Sequence, residues 1–286
     1  MSMNDQVQLV FKFDNVYLQL RHPLIIIQSS SMSNNILVVG ATRGLGASLR
    51  ALYAKDSTKH VFATSRSDSA PQTDSSTTWL TGIDLTKSDV GQTLVSQIPA
   101  STKISTAIIS AGYFGFESFD TPDWAKEVQM YTTSAIAPVF LVHHLVKSGL
   151  LEEASKVILV SSESGSITLR HEKEGGGNYG HHASKAALNM VGKLLSLDLR
   201  PKGIAVGLVH PGFMRTEMTK GVGFDKYWDA GGAITPDESA QSLVSFIESF
   251  DIHRTGEYWA PRGPADIGTA ESVLGKNLST PLQLPW

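Results

Sequence analysis

Three glycines near residue 40 are the first residues in this sequence whose spacing could do chemistry. Gly40-Ala41-Thr42-Arg43-Gly44-Leu45-Gly46 follows a short apolar run and precedes leucines at helical spacing, Leu45, Leu49 and Leu52. Glycine permits a tight turn and lets backbone N–H groups close on a phosphate at a helix N-terminus. The spacing is G-x-x-x-G-x-G, and its place between a strand and a helix reads as a loop for a dinucleotide phosphate. Charge then argues for one cofactor over another. Sites for NAD usually place an acid at the end of the second strand, to bind the ribose hydroxyls. Here that strand ends Thr64-Ser65-Arg66, with no acid. Arg43 and Arg66 offer guanidinium groups that suit a ribose 2′-phosphate. NADP(H) is therefore expected in preference to NAD.

A second constellation lies further on. His181 stands four residues before Lys185, one helical turn away on the same face. An imidazole with an ordinary pKa of about 6.5 can give or take a proton at neutral pH. The neighbouring charge of Lys185 favours its neutral form, which weakens it as a donor. Tyr179, two residues before His181, would point to the opposite face of a helix, so it can serve only if the chain there is not yet helical. His143-His144, His171 and His181-His182 lack carboxylates at ligand spacing, and no metal is expected.

The elements that must position these residues alternate along the chain. Asn35 to Ala41, His60 to Ser65, Trp79 to Leu85, Ile104 to Ser110, Val157 to Ser161, Ile204 to Val209 and Glu257 to Ala260 read as buried strands. Between them lie helical stretches. Thr86 is expected to cap a helix carrying Val90, Leu94 and Ile98. Thr121-Pro122-Asp123 is expected to open a long helix, with proline in its first turn. Ala183 to Leu199 reads as a strong helix, and Thr235-Pro236-Asp237-Glu238 begins another. Strands rich in Val and Ile that alternate with helices imply an α/β fold: a single doubly wound, Rossmann-type parallel sheet with helices on both faces. Ligands in such sheets bind beyond the carboxyl ends of the strands.

From about Asn34 to the last residue the sequence resembles the short-chain dehydrogenase/reductase family, and its Leu284-Pro285-Trp286 ending is similar to C-factor-like members. The resemblance rests on the glycine spacing, on Ser161-Ser162-Glu163-Ser164-Gly165, and on Ala183-Ser184-Lys185-Ala186-Ala187-Leu188-Asn189. It implies that Asp84 and Leu85 lie by the adenine ring. Ser110-Ala111-Gly112, where the family usually has Asn-Ala-Gly, would line the cofactor. Pro211-Gly212-Phe213 and Thr216 would hold the nicotinamide end. It implies that Ser162 (with Ser166 as the fallback) polarises a carbonyl and that Lys185 binds the nicotinamide ribose. Two positions depart from the family pattern: the tyrosine position is occupied by His181 and the asparagine position by Ser134. Either His181 or Tyr179 would then supply the proton.

The expected function is an NADP(H)-dependent oxidoreductase acting on a small or hydrophobic carbonyl, or on the corresponding alcohol. The alternative is a protein that keeps the fold and binds NADP(H) but is redox-inactive or catalyses a non-redox step. Phe213, Met214, Phe224, Tyr227 and Trp228 lie where the family has a substrate lid, about 213 to 235, and suit a hydrophobic substrate. Glu163 reads equally as a substrate contact or a solvated acid.

Composition bounds the rest. The chain has 286 residues, 24 basic against 27 acidic, and a net charge of −3, so no nucleic-acid or anionic-membrane partner is expected. There is no cysteine, which excludes disulfides and thiolate sites and suits a reducing, cytoplasmic location. No apolar run approaches the roughly 20 residues of a spanning helix. Residues 1–33 are read as an extension, either poorly ordered or forming an extra strand or dimer arm, ahead of one domain over 34–286. The resemblance implies a homodimer or homotetramer paired through the helices over 123–145 and 183–199.

Overall fold

The computed structural model describes residues 34–71 and 75–286, together with the backbone of two strands nearer the amino end. Those two, β1 (Leu9–Phe13) and β2 (Val16–Leu20), pair antiparallel as a hairpin, with Leu9 opposite Leu20 and Phe13 opposite Val16. The remainder of the 1–33 extension lies outside the described residues.

Beyond the hairpin the chain builds one eight-stranded sheet. Its strands are β3 (Asn35–Val39), β4 (His60–Thr64), β5 (Thr77–Leu80), β6 (Thr106–Ile109), β7 (Lys156–Val160), β8 (Ala205–Val209), β9 (Tyr258–Ala260) and β10 (Leu282–Gln283). Their order is β10-β9-β8-β7-β6-β3-β4-β5, parallel throughout except for β10, which runs antiparallel to β9. The order reverses at β3, so the loops after β3 and β6 diverge and leave a crevice between them. Each central strand is apolar on both faces because helices cover both. Ile36 and Val38 face one layer, where α1 (Gly44–Ala54) packs through Leu45 and Leu49 against Leu243 and Phe246 of α7 (Pro236–Ser249). Leu37 and Val39 face the other, which is built from α2 (Val90–Ser96), α4 (Ala137–Lys147) and α5 (Tyr179–Leu199).

Several boundaries differ from the sequence expectation. The strand expected over Trp79 to Leu85 is displaced towards the amino end, because its backbone pairs with β4 from Thr77 and ends at Leu80. Thr86 caps no helix: its N–H and hydroxyl both donate to Asp84 (3.0 and 2.8 Å), closing a turn, and α2 starts at Val90. Pro122 lies outside the helix it was expected to open. Asp123 is the cap, accepting the Lys126 N–H at 3.1 Å, and α3 runs over Trp124–Tyr131. The long helix itself is interrupted, since a wider π-type turn over Thr132–Ile136 separates α3 from α4. The strand β10 is too short to show as a hydrophobic period.

Candidate active site

A cleft of about 1050 Å³ opens at the carboxyl ends of β3, β4, β6, β7 and β8. Its floor is the glycine loop. Gly40 has φ +86°, and a Cβ there would lie 2.7 Å from Ala111. At Gly46 a Cβ would sit 2.0 Å from the Gly40 carbonyl oxygen, so only glycine lets α1 begin this close to the turn. The Arg43 side chain does not cap α1, and its first turn holds no acid. The first amides, at Gly44, Leu45 and Gly46, border the cleft. An uncapped helix start of this kind fits a phosphate. Arg43 and Arg66 also border the cleft, and among the described residues neither forms a salt bridge.

Every residue expected to contact the cofactor borders this one cleft: Thr42, Ser65, Asp84, Leu85, Ser110, Ala111, Gly112, Lys185, Pro211, Gly212, Phe213 and Thr216 join those already named. Burial pushes the Asp84 carboxyl up. The hydrogen bonds from Thr86 outweigh it, with help from Lys87 and Arg66, and hold the group below its usual range. Thr216 caps the short helix α6 (Glu217–Gly221), accepting the Thr219 N–H at 3.2 Å.

Ser162 follows β7 and faces the cleft. Its hydroxyl donates to Ser164 Oγ at 3.0 Å, while its carbonyl accepts from the buried Tyr258 hydroxyl. Lys185 projects from α5 and its Nζ donates to the Val160 carbonyl at 2.9 Å. Burial lowers its pKa from 10.5 to about 8. His181, one turn earlier, borders the same cleft and lies against Phe114, with ring centroids 4.2 Å apart and planes tilted 31°. Burial first, and then the Lys185 charge, lower its pKa from 6.5 to about 3. The imidazole is therefore neutral near pH 7, below the range of an ordinary acid–base histidine, and its Nδ1 is buried without a hydrogen-bond partner.

Three expected positions fall elsewhere. The helix begins at Tyr179, not at Ala183, so Tyr179 is already helical when His181 turns inward. It is 41% exposed and does not border the cleft, which removes it as a proton donor in this conformation. Ser166 is buried, accepts the Leu169 N–H at 3.2 Å, and lies off the cleft. Ser134, within the π-type turn, is buried with an unpartnered hydroxyl and also lies off the cleft, where its neighbour Thr133 stands instead. Trp228 packs inside the lid segment, with its Nε1 donating to Thr219 Oγ1 at 3.2 Å, while Phe213, Met214, Phe224 and Tyr227 border the cleft.

The structure adds residues that the sequence reading passed over. His210 is buried at the cleft, and its Nδ1 accepts the Glu163 N–H at 3.0 Å; burial pushes its pKa down. Its position just before Pro211-Gly212 was a usable signal. Phe114 had none beyond its type. Glu163 borders the cleft and pairs with Arg170, so it is not a freely solvated acid. Among the described residues no group of three His, Asp or Glu side chains could hold a metal.

A crevice at the switch point of a doubly wound sheet, with a glycine-rich helix start at one end and a serine and a lysine at the other, defines a dinucleotide-binding oxidoreductase fold. Residues 34–226 match the short chain dehydrogenase family, and the chain belongs to it. It is 27% identical over 230 residues to the 1-hydroxy-2-glutathionyl-2-methyl-3-butene dehydrogenase of Rhodococcus sp., covering 79% of this chain and 95% of that protein. It is 33% identical over 169 residues to the C-signal protein of Myxococcus xanthus, covering 58% and 90%. In fold it is similar to the NADPH-bound carbonyl reductase from chicken fatty liver (TM-score 0.67, 22% identity, 80% and 96% covered). It is likewise similar to the carbonyl reductase Sniffer of D. melanogaster (TM-score 0.69, 23% identity, 89% and 100% covered).

Proposed function

We propose that this protein is an NADP(H)-dependent oxidoreductase that reduces a hydrophobic carbonyl compound or oxidises the corresponding alcohol. The observation that carries this reading is a single cleft holding the uncapped start of α1, Arg43 and Arg66 at one end and Ser162, His181 and Lys185 at the other. When bound, the dinucleotide would supply hydride at its nicotinamide ring. Lys185, held by the Val160 carbonyl, has two remaining N–H groups for the ribose hydroxyls. The Ser162 hydroxyl donates to the substrate oxygen and draws off charge as it develops. A neutral His181 relays a proton instead of storing one: the ring nitrogen other than the buried Nδ1 takes a proton from the Lys185 ammonium and passes it to the substrate oxygen as hydride arrives, leaving the ring neutral and Lys185 as an amine that solvent reprotonates. Phe114, Met218, Phe224 and Tyr227 line the substrate end, and Phe224 meets Phe114 edge-on at 5.6 Å, which favours an apolar substrate.

One observation favours a second reading, a protein that binds NADP(H) without redox turnover. His181 is neutral, and its ring is packed against Phe114. NADPH consumption on a panel of aldehydes, with wild type and His181→Tyr, separates the two. Turnover by wild type supports the reductase; turnover only by the variant overturns it and leaves the binding protein. Arg66→Asp should weaken NADPH relative to NADH by about tenfold or more, since a charged hydrogen bond contributes about 1.5–3 kcal/mol; an unchanged ratio removes the preference for NADP(H).

We propose further that a second copy of the chain covers the apolar faces left exposed on α3, α4 and α5, and that the protein works in the cytoplasm without nucleic-acid or membrane partners. Among the described residues no helix is long and apolar enough to cross a membrane.

A further inference from the structure

The first turn of α5 carries His181 and leads to Lys185, and its cap residue, Asn178, meets it only through a backbone carbonyl, 3.0 Å from the His182 N–H and 2.9 Å from His182 Nδ1. Asn178 takes the left-handed conformation (φ 51°), makes no side-chain cap, and keeps its Oδ1 buried without a partner. The turn is held from a distance by Glu117, in the loop between β6 and α3. Glu117 is 1% exposed. Its Oε1 accepts the Gly180 N–H, and its backbone carbonyl accepts the Asn178 N–H at 3.0 Å. A carboxylate suits this place, because the free N–H groups of a helix start carry partial positive charge.

The approach is close. A Cβ on Gly180 would lie 2.4 Å from Met130 Cε, 3.0 Å from Glu127 Cγ and 3.2 Å from Glu117 Oε1. One on Gly177 would lie 3.3 Å from the Glu117 carbonyl. The charged and titratable groups around Glu117 are Glu127 and Lys126 on α3. Burial, and then the Glu117 charge, hold the Glu127 carboxyl above its usual range, so it keeps a proton more readily beside its neighbour. The same loop carries Phe114, three residues before Glu117, and Phe114 lies against the His181 ring.

We propose that Glu117 is a positioning residue for His181: it fastens the Phe114 loop to the first turn of α5 and so keeps the imidazole lying against Phe114 at the cleft. This rests on the reading of His181 as the group that handles the substrate proton. Glu117 touches neither end of the reaction, and acts through Gly180 and Phe114.

The test uses the full chain and reads position separately from turnover. A ring lying against Phe114 has its proton resonances displaced upfield by the aromatic current, and His181 is assigned by the resonance lost in His181→Asn. Glu117→Leu is expected to move that resonance towards unstacked values. It should lower kcat by about tenfold, one kcal-scale step in barrier, with NADPH Kd within about twofold. Glu117→Gln, whose amide oxygen still accepts from Gly180, should keep the stacked resonance and most of kcat. If Glu117→Leu does not fold, Glu117→Asp, one methylene shorter, is read for the same displacement. A His181 resonance unmoved in the Leu and Asp variants overturns the proposal, as does a parallel loss of NADPH binding and turnover with the resonance in place. Should wild type show no turnover at all, the reductase reading fails while the resonance still decides the role of Glu117.

Discussion

At the scale of single residues, the site is governed by what burial does to two nitrogens. The His181 pKa falls from 6.5 to about 3 in the folded chain, so the unfolded state binds more protons between those values. Stability is intact above about 6.5 and is lost as pH falls towards 3. Denaturant midpoints measured across that range should drop more steeply for wild type than for His181→Gln; parallel curves would contradict the buried, neutral ring. Lys185 has the same sign. Its pKa falls from 10.5 to about 8, so burying the ammonium costs stability below about 8, and the cost is relieved as pH rises from 8 towards 10.5. Under the proposed function activity should run the other way, because the Lys185 charge that would steady the ribose and supply the proton is lost above about 8. Burial, the leading cause of both shifts, comes from surroundings that the sequence does not name. What it did show was the residue at position 181 and its turn-long separation from Lys185.

At the scale of elements, the glycine loop and the helix caps show how a local signal becomes a site. The G-x-x-x-G-x-G spacing was readable because contact between Gly46 and the Gly40 carbonyl is a constraint within seven residues. The start of α7 was readable for the same reason: Thr235 and Glu238 cap each other reciprocally, with Pro236 in the first turn. That helix also holds the cleft loop that follows β8, where Ser239 Oγ donates to the Pro211 carbonyl at 2.6 Å. Thr235→Ala should therefore cost about 1 kcal/mol, and a few degrees of Tm, while leaving the cleft residues unchanged. Calorimetry alongside NADPH titration checks this, and a large loss of affinity would show that the cap reaches the site. The start of α5 was not readable, because its cap comes from Glu117, 63 residues away. Pro122 misled for the complementary reason: a proline beside an aspartate fits a first turn or the residue before a cap, and only the Asp123 side-chain bond to Lys126 decides between them.

At the scale of the whole molecule, the apolar residues left outside the core ask for a partner. Trp124 is 84% exposed on α3, Phe140 43% on α4, and Met190, Leu194 and Leu197 lie open along one face of α5. Where such residues adjoin, a contiguous apolar patch marks an interaction surface. A second copy meeting this surface would bury it as an isologous pair. Met190→Glu with Leu194→Glu should weaken self-association by about tenfold or more, since desolvating a carboxylate in an apolar contact costs well over 1 kcal/mol. Sedimentation of wild type and the double variant measures this. A monomeric wild type, or an unchanged assembly in the variant, removes the pairing.

The sequence by itself determined the alternation of strand and helix, the doubly wound sheet and the tight glycine turn after β3, because each is written within one turn or one strand and follows from local periodicity and glycine geometry; most of the residues around the cleft were legible only through the family resemblance. Tertiary structure alone decided that Tyr179 faces away, that Ser134 lies behind the cleft, that His210 joins it, and that His181 lies buried against Phe114. Those outcomes depend on which distant segments meet, and on how much water their meeting excludes. Spacing along a chain records neither.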